Sequence, residues 1–282
     1  MSRVAVVGAG TMGNGIAHVF AQQGWETVLV DVASDALARA VKTIEKNLDR
    51  LVKKGAVSGA QCAGILERIH TSTSFDDVKT AELVVEAATE NSDVKFKIFR
   101  DLDRFAPGGA ILASNTSSIS ITALAAQTKR PGQVIGMHFM NPVPVMELVE
   151  VIRGMETSDD TVKRTLAIVK DLKKTPVEVN DSPGFVSNRV LMPMINEAIF
   201  CVQDGIATPE AVDQVMKLGM SHPLGPLALA DLIGLDVCLS VMKVLQEGLD
   251  KQKYRPAPLL AKMVAEGQLG RKSGRGFYAY RD

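Results

Sequence analysis

Two stretches of this chain carry residue types and spacings suited to chemistry. The first is Gly8-Ala9-Gly10-Thr11-Met12-Gly13, a GxGxxG pattern directly after the apolar run VAVV and directly before a helix-compatible stretch. In that setting the first glycine permits a tight turn and the second lets the backbone approach a pyrophosphate. The third allows close helix–strand packing, with the helix amides facing the anion. Asp31 closes the run TVLVD, 23 residues after Gly8. A carboxylate there accepts hydrogen bonds from ribose hydroxyls and repels a 2′-phosphate, which favours NAD over NADP. The plainer alternative is that Asp31 only ends a strand ahead of a helix at Ser34.

The second stretch, GMHFMNPVPVMELVEVI, sets His138 and Glu150 on strand-like runs, each six residues from Pro144 in the turn former NPVP. If the chain folds back there, the carboxylate can orient the imidazole and stabilise its protonated form. Taken alone, the pair reads equally as a core histidine and a strand-end glutamate. Oxidation of a secondary alcohol needs a base for the hydroxyl proton, and imidazole suits neutral pH. Of the four histidines, His18 lies in the cofactor helix, His70 starts a strand and His222 sits in a proline-rich turn. His138, near a strand end, is the best placed, because strand ends face the ligand crevice in sheets of this kind.

Ser114-Asn115-Thr116-Ser117-Ser118 follows the run ILA and offers hydroxyl and amide groups to a substrate oxygen. Ser118 and Ser120 also read as N-caps of the next helix. Lys42, Lys46, Arg50 and Lys54 recur every four residues and share one helix face, which attracts phosphates or simply meets solvent, with Glu45 and Asp49 interleaved.

The elements that must position these groups follow from the apolar rhythm. Up to about residue 180, short β-branched runs at Val4, Thr27, Leu83, Ile111, Val134 and Leu148 alternate with helical patterns, the signature of a doubly wound, Rossmann-type α/β sheet. Met12, Ile16, Val19, Phe20 and Gln23 mark one amphipathic helix, and Leu37, Val41, Ile44, Leu48 and Leu51 a cleaner one. After DSPGF at Asp181 the strand runs give way to long helical stretches. The expected organisation is an NAD-binding domain over 1–183 and an all-α domain over 184–282. Lys+Arg and Asp+Glu are both 32, so no global field attracts nucleic acid or an anionic membrane, and the partner is a small molecule. The three cysteines are scattered without CxxC spacing, which argues against disulfides and a metal site and fits a reducing cytoplasm. Nothing reads as an export signal or a membrane span.

GAGTMGNGIA, EAATEN, SNTSS, HFMNPVPVMELVEVI, DSPGFVSNRV and GFYAY, in this order across nearly the whole chain, resemble the 3-hydroxyacyl-CoA dehydrogenase family, especially its bacterial short-chain members. The resemblance implies hydride transfer between NAD(H) and an acyl-CoA substrate. His138 would be the general base, Glu150 its partner, and Ser117 and Asn188 donors to the substrate's oxygens, in a cleft between the domains. It further implies that Glu90, Lys95, Ser117, Asn141 and Lys272 meet the nicotinamide half. Asn47 and Lys54, with Arg50 on the same face, would meet coenzyme A; Asn47 stands where the family has serine. It also implies a homodimer through the helical domain, for which the apolar stretches Pro193 to Val202 and Leu224 to Leu239 offer surface; a core buried within the chain explains the same stretches equally well. Two other classes stay open: a free 3-hydroxyacid dehydrogenase, which typically uses lysine where His138 stands, and a non-catalytic NAD(H)-binding protein.

Overall fold

The computed structural model describes residues 2–280. The chain divides into two compact units, one up to Ser182 and one from Pro183. The first unit is an eight-stranded sheet: β1 (Arg3–Val7), β2 (Glu26–Val30), β3 (Ile69–Ser72), β4 (Leu83–Glu86), β5 (Ile111–Ser114), β6 (Val134–Phe139), β7 (Leu148–Arg153) and β8 (Thr175–Asn180). Its helices are α1 (Thr11–Gln22), α2 (Ser34–Lys53), α3 (Gly59–Glu67), α4 (Ser92–Phe105), α5 (Ile121–Ala125) and α6 (Asp159–Asp171). The second unit holds α7 (Ser187–Gln203), α8 (Pro209–Gly219), α9 (Pro226–Ile233), α10 (Leu235–Gly248) and α11 (Pro258–Ala265).

The strand order is β3-β2-β1-β4-β5-β6-β7-β8, and every neighbouring pair is parallel except β6 with β7. The chain reverses its direction of travel across the sheet between β1 and β4, which opens a crevice at the carboxyl ends of those strands. β4, β5 and β6 are buried along their whole length, as a sheet covered by helices on both faces requires, hence their near-continuous apolar runs. β8, at the edge, is exposed except for half-buried Pro176 and Val179, and an interior strand excludes proline because it cannot donate to the ladder.

The two cofactor-side helices differ in burial. α2 hides only Leu37, Ala40, Ile44 and Leu48, the single stripe its pattern predicts. α1 is buried nearly all round, from Gly15 to Ala21, rather than along one stripe. It packs on β2 and is enclosed by α2 and α3, and a Cβ on Gly15 would lie 2.8 Å from Val143. One consequence is that His18 is wholly buried, with neither ring nitrogen hydrogen-bonded.

In the helical unit, Met192, Ile195, Ile199, Leu227, Leu235 and Leu260 form the centre of a second core. The stretches Pro193 to Val202 and Leu224 to Leu239, expected to offer a dimer surface, supply much of that core instead. Their helical periodicity turns the large apolar side chains inward. The exposed apolar residues lie mainly elsewhere, at Val190, Ile206, Val215, Leu218 and Met220, with Leu232 and Val237 contributing from within the second stretch. Buried Asp213 on α8 accepts the Leu227 and Ala228 backbone N–H groups and so caps α9, and it also accepts the Tyr278 hydroxyl. Asp231 accepts the Phe277 and Tyr278 N–H groups and the Tyr280 hydroxyl. These two carboxylates fasten GFYAY to the helices.

Burial lowers the His18 pKa to about 4. Because the folded value lies below that of the unfolded chain, the stabilisation is present above pH 6.5 and is lost as pH falls towards 4. Unfolding titrations of the wild type should lose about 3 kcal/mol across that window on this account. His18→Leu should flatten that limb, and an unchanged limb would contradict the assignment.

Candidate active site

The Gly-rich turn has the shape that a dinucleotide needs. Gly8 has φ +107°, and a Cβ there would lie 2.6 Å from the Ala87 carbonyl oxygen, while a Cβ on Gly13 would lie 1.7 Å from the Gly8 carbonyl oxygen. Both contacts are with backbone, so neither can yield, and β1, the turn and α1 close up only with glycine. Gly10 faces open space instead. It is the N-cap of α1 and offers no side-chain cap, and the first turn carries no acidic residue. The amides at that helix start, with Thr11 and Met12 as its first residues, therefore have no side-chain partner from their own helix and suit an external anion.

Asp31 does more than end β2. One carboxylate oxygen accepts the Ala9 N–H at 2.7 Å and the other the Ala33 N–H at 2.9 Å, so it ties the Gly-rich turn to the start of α2. Each oxygen retains a lone pair for a further donor. A ribose at Asp31 would put the other half of a dinucleotide across the pyrophosphate, over the ends of β4 and β5.

At those ends lies a charge cluster. Glu86, the last residue of β4, is fully buried and accepts the Lys95 ammonium at 2.6 Å, the Ala88 N–H at 2.7 Å and the Ser114 hydroxyl at 2.6 Å. Lys95, on the first turn of α4 and 1% exposed, also reaches Glu90 at 3.5 Å. Glu90 gathers the SNTSS loop: its Oε1 accepts the Thr116 hydroxyl at 2.6 Å and the N–H groups of Ser117 and Ser118 at 2.9 and 3.0 Å. The Ser118 and Ser117 hydroxyls follow at 2.9 and 3.2 Å. Burial acts to raise the Glu90 pKa, but the Lys95 charge and these donors outweigh it, and the net shift is downward. Ser120 caps α5 by accepting the Ala123 N–H, whereas Ser118 is used by Glu90.

His138 and Glu150 are direct partners in the antiparallel β6–β7 ladder. Opposed residues project to one face, and the imidazole Nδ1 meets the Glu150 carboxylate at 2.8 Å, with both residues buried. Two contacts hold this corner of the sheet. Asn115, beyond β5, donates its N–H to the Glu86 carbonyl and accepts the Phe139 N–H through its side chain. Lys174 donates to the Val143 and Met146 carbonyls in the turn that joins the two strands, and burial lowers its pKa. Val143 itself is buried against α1 as a core residue.

The first unit thus brings together Gly8, Gly10 and Gly13 with Asp31, and Glu90 and Lys95 with Ser117. His138 and Glu150 face each other, and Asn141 is exposed in the turn that follows His138. Lys42, Lys46, Arg50 and Lys54 lie exposed along the solvent side of α2, with Asn47 half-buried beside them. Asn188 and Lys272 belong to the helical unit. Asn188 sits on the first turn of α7, its N–H bonded to the Gly184 carbonyl, and Lys272 pairs with Asp236 at 2.7 Å. The sequence does not single out Glu86 or Lys174, and it offers the Asn115 amide to a substrate oxygen, whereas that side chain accepts the Phe139 N–H. The signal for Glu86 is a carboxylate closing an otherwise apolar four-residue strand; nothing comparable marks Lys174.

The chain matches the model of the 3-hydroxyacyl-CoA dehydrogenase NAD binding domain over residues 3–182 and that of the 3-hydroxyacyl-CoA dehydrogenase C-terminal domain over 184–280. It is 54% identical to a probable 3-hydroxybutyryl-CoA dehydrogenase of Bacillus subtilis, covering 100% of this chain and 98% of that protein. It is 52% identical to a 3-hydroxybutyryl-CoA dehydrogenase of Bradyrhizobium diazoefficiens, over 100% of this chain and 96% of the relative. Among solved structures, that of (S)-3-hydroxybutyryl-CoA dehydrogenase from Ralstonia eutropha superimposes with a TM-score of 0.97 at 54% identity, covering 100% of both chains. The chain belongs to the 3-hydroxyacyl-CoA dehydrogenase family, with an NAD-binding Rossmann-type unit followed by a helical one.

Proposed function

We propose that this chain interconverts L-3-hydroxyacyl-CoA and 3-ketoacyl-CoA with NAD(H), with 3-hydroxybutyryl-CoA and acetoacetyl-CoA as its substrate pair. The carrying observation is the buried His138–Glu150 contact at 2.8 Å at the carboxyl-end crevice of the sheet. The substrate length is that of the relatives, two of which bear the name 3-hydroxybutyryl-CoA dehydrogenase or its probable form.

Glu150 holds the proton of His138 on Nδ1, so Nε2 presents a lone pair to the substrate hydroxyl. As the C3 hydride leaves, Nε2 takes the hydroxyl proton, and the imidazolium is stabilised by a carboxylate that stays ionised throughout. In the reverse direction the imidazolium returns the proton to the forming alcohol. The nicotinamide, when bound, supplies the carbon that accepts or donates the hydride. Five donors crowd Glu90 Oε1, and the Ser117 hydroxyl is the most distant of them. Rotation turns that O–H to the substrate's C3 oxygen, where it stabilises developing charge. Asn188 as a second donor, and Asn141 and Lys272 as cofactor contacts, rest on the family pattern alone. The basic face of α2, with Asn47, Arg50 and Lys54, meets the phosphates of coenzyme A.

Three free cysteines agree with a reducing, cytoplasmic setting, and no helix among the described residues is long and apolar enough to cross a membrane. Exposed Val190, Val215, Leu218 and Met220 on the helical unit support a homodimer. Sedimentation at micromolar concentration should give twice the 30.2 kDa chain mass; a monomer would refute the dimer.

NADH oxidation should proceed with acetoacetyl-CoA and not with free acetoacetate. Turnover of the free acid would assign the hydroxyacid class, and silence with both, despite NADH binding, a binding protein. His138→Gln should lower kcat by about 10²- to 10⁴-fold with little change in NADH affinity, and retained turnover would remove His138 as the base. Asp31→Asn, which lifts the repulsion of a 2′-phosphate, should shift the NADH-to-NADPH preference by about tenfold towards NADPH, and an unchanged preference would contradict the ribose assignment.

A further inference from the structure

Glu86 is the buried end of a relay of charges. Its two oxygens meet the Lys95 ammonium, the Ala88 N–H and the Ser114 hydroxyl, and a carboxylate offers an acceptor site to each of them. Lys95 is enclosed, so its ammonium must be matched by carboxylates: Glu86 at 2.6 Å and Glu90 at 3.5 Å. Two carboxylates and one ammonium leave one net negative charge. It sits in the segment 86–90, which runs directly against the Gly-rich turn, since Gly8 and Gly13 both pack on Ala87.

We propose that Glu86 sets the relative affinity of this enzyme for oxidised and reduced cofactor, by keeping the Glu86–Lys95–Glu90 cluster at one net negative charge beside the nicotinamide half. The inference rests on the cofactor reading given above. The nicotinamide ring is cationic when oxidised and neutral when reduced, so a nearby negative charge favours the oxidised form and leaves the reduced form almost untouched. Were Glu86 neutral, Lys95 would cancel Glu90 and the cluster would carry no net charge. Glu86 reaches no ligand itself. It is a positioning and charge-setting residue that acts through Lys95, and its hydrogen bonds to Ala88 N–H and Ser114 keep the Gly-rich turn and the SNTSS loop in place.

The test is equilibrium binding of NAD+ and NADH to the full-length protein and its variants. Glu86→Gln retains the shape and an acceptor for Lys95 and Ala88 while removing one charge. The ratio Kd(NAD+)/Kd(NADH) should rise about three- to tenfold, the scale of one unit charge acting through partly screened protein. A purely structural lesion would weaken both forms together and leave the ratio unmoved. The double variant E86Q/K95M loses both buried charges but keeps the wild-type net charge, so its ratio should return to the wild-type value even if both affinities fall. An unmoved ratio in E86Q, or a double variant displaced as far as the single one, would overturn the proposal. If E86Q does not fold, Glu90→Gln removes the same unit of charge from a partly exposed position and must raise the ratio in the same sense. Wild-type protein that binds neither cofactor form would instead sink the cofactor reading, which keeps the two failures apart.

Discussion

Charged groups sealed from water at the carboxyl ends of the sheet must satisfy one another, and the rest of the site is arranged around that requirement. An uncompensated buried charge costs several kcal/mol, so each ion brings its partner. Lys95 is held by Glu86 and Glu90, and the buried Glu150 carboxylate by the His138 imidazole. Glu86 pins Ala88 beside the Gly-rich turn and Ser114 at the end of β5, and its carbonyl accepts Asn115, whose side chain in turn accepts Phe139 next to His138. Hydrogen bonds centred on Glu86 and Asn115 therefore tie the ends of β4, β5 and β6 to one another, next to the Gly-rich turn and to His138.

The site holds two separate groups of polar side chains. The Glu86–Lys95–Glu90 cluster at β4 and β5 anchors the loop that carries Ser117. His138 and Glu150 face each other across β6 and β7. β6–β7 is the only antiparallel pair in the sheet, and antiparallel pairing makes the juxtaposition possible: residues twelve apart in sequence become direct opposites, which a short turn allows and a parallel crossover does not. Lys174, drawn from β7's far neighbour, closes that turn over its carbonyls.

Much of this was legible in the residues. The apolar runs at Val4, Leu83, Ile111 and Val134 become fully or almost fully buried strands because parallel sheets cover both faces, and GxGxxG lies between β1 and α1 because steric contact at Gly8 and Gly13 tolerates nothing else. The symmetric placement of His138 and Glu150 about Pro144 pointed to a hairpin. Less was legible where burial depends on packing between elements distant in sequence. The pattern of α1 suggested one apolar stripe, yet small residues at Gly13, Gly15, Ala17 and Ala21 let neighbours close in from several sides. The stretches Pro193 to Val202 and Leu224 to Leu239 read equally as interface and as core and are largely core, because composition does not say which face a helix turns inward. Asn115 and Lys174 act on backbone groups, and no spacing betrays such contacts.

In the proposed reaction Glu150 fixes the imidazole of His138 with its proton on Nδ1, leaving Nε2 to exchange the substrate's proton. Nitrogen-15 NMR of histidine-labelled enzyme saturated with NADH, with His138→Gln used to identify the signal, tests this most directly. In its neutral form the His138 ring should carry its proton on Nδ1, with a proton shift displaced downfield by the carboxylate. A ring protonated at Nε2 in the neutral form, or one whose tautomer is unaltered by Glu150→Gln, would contradict it.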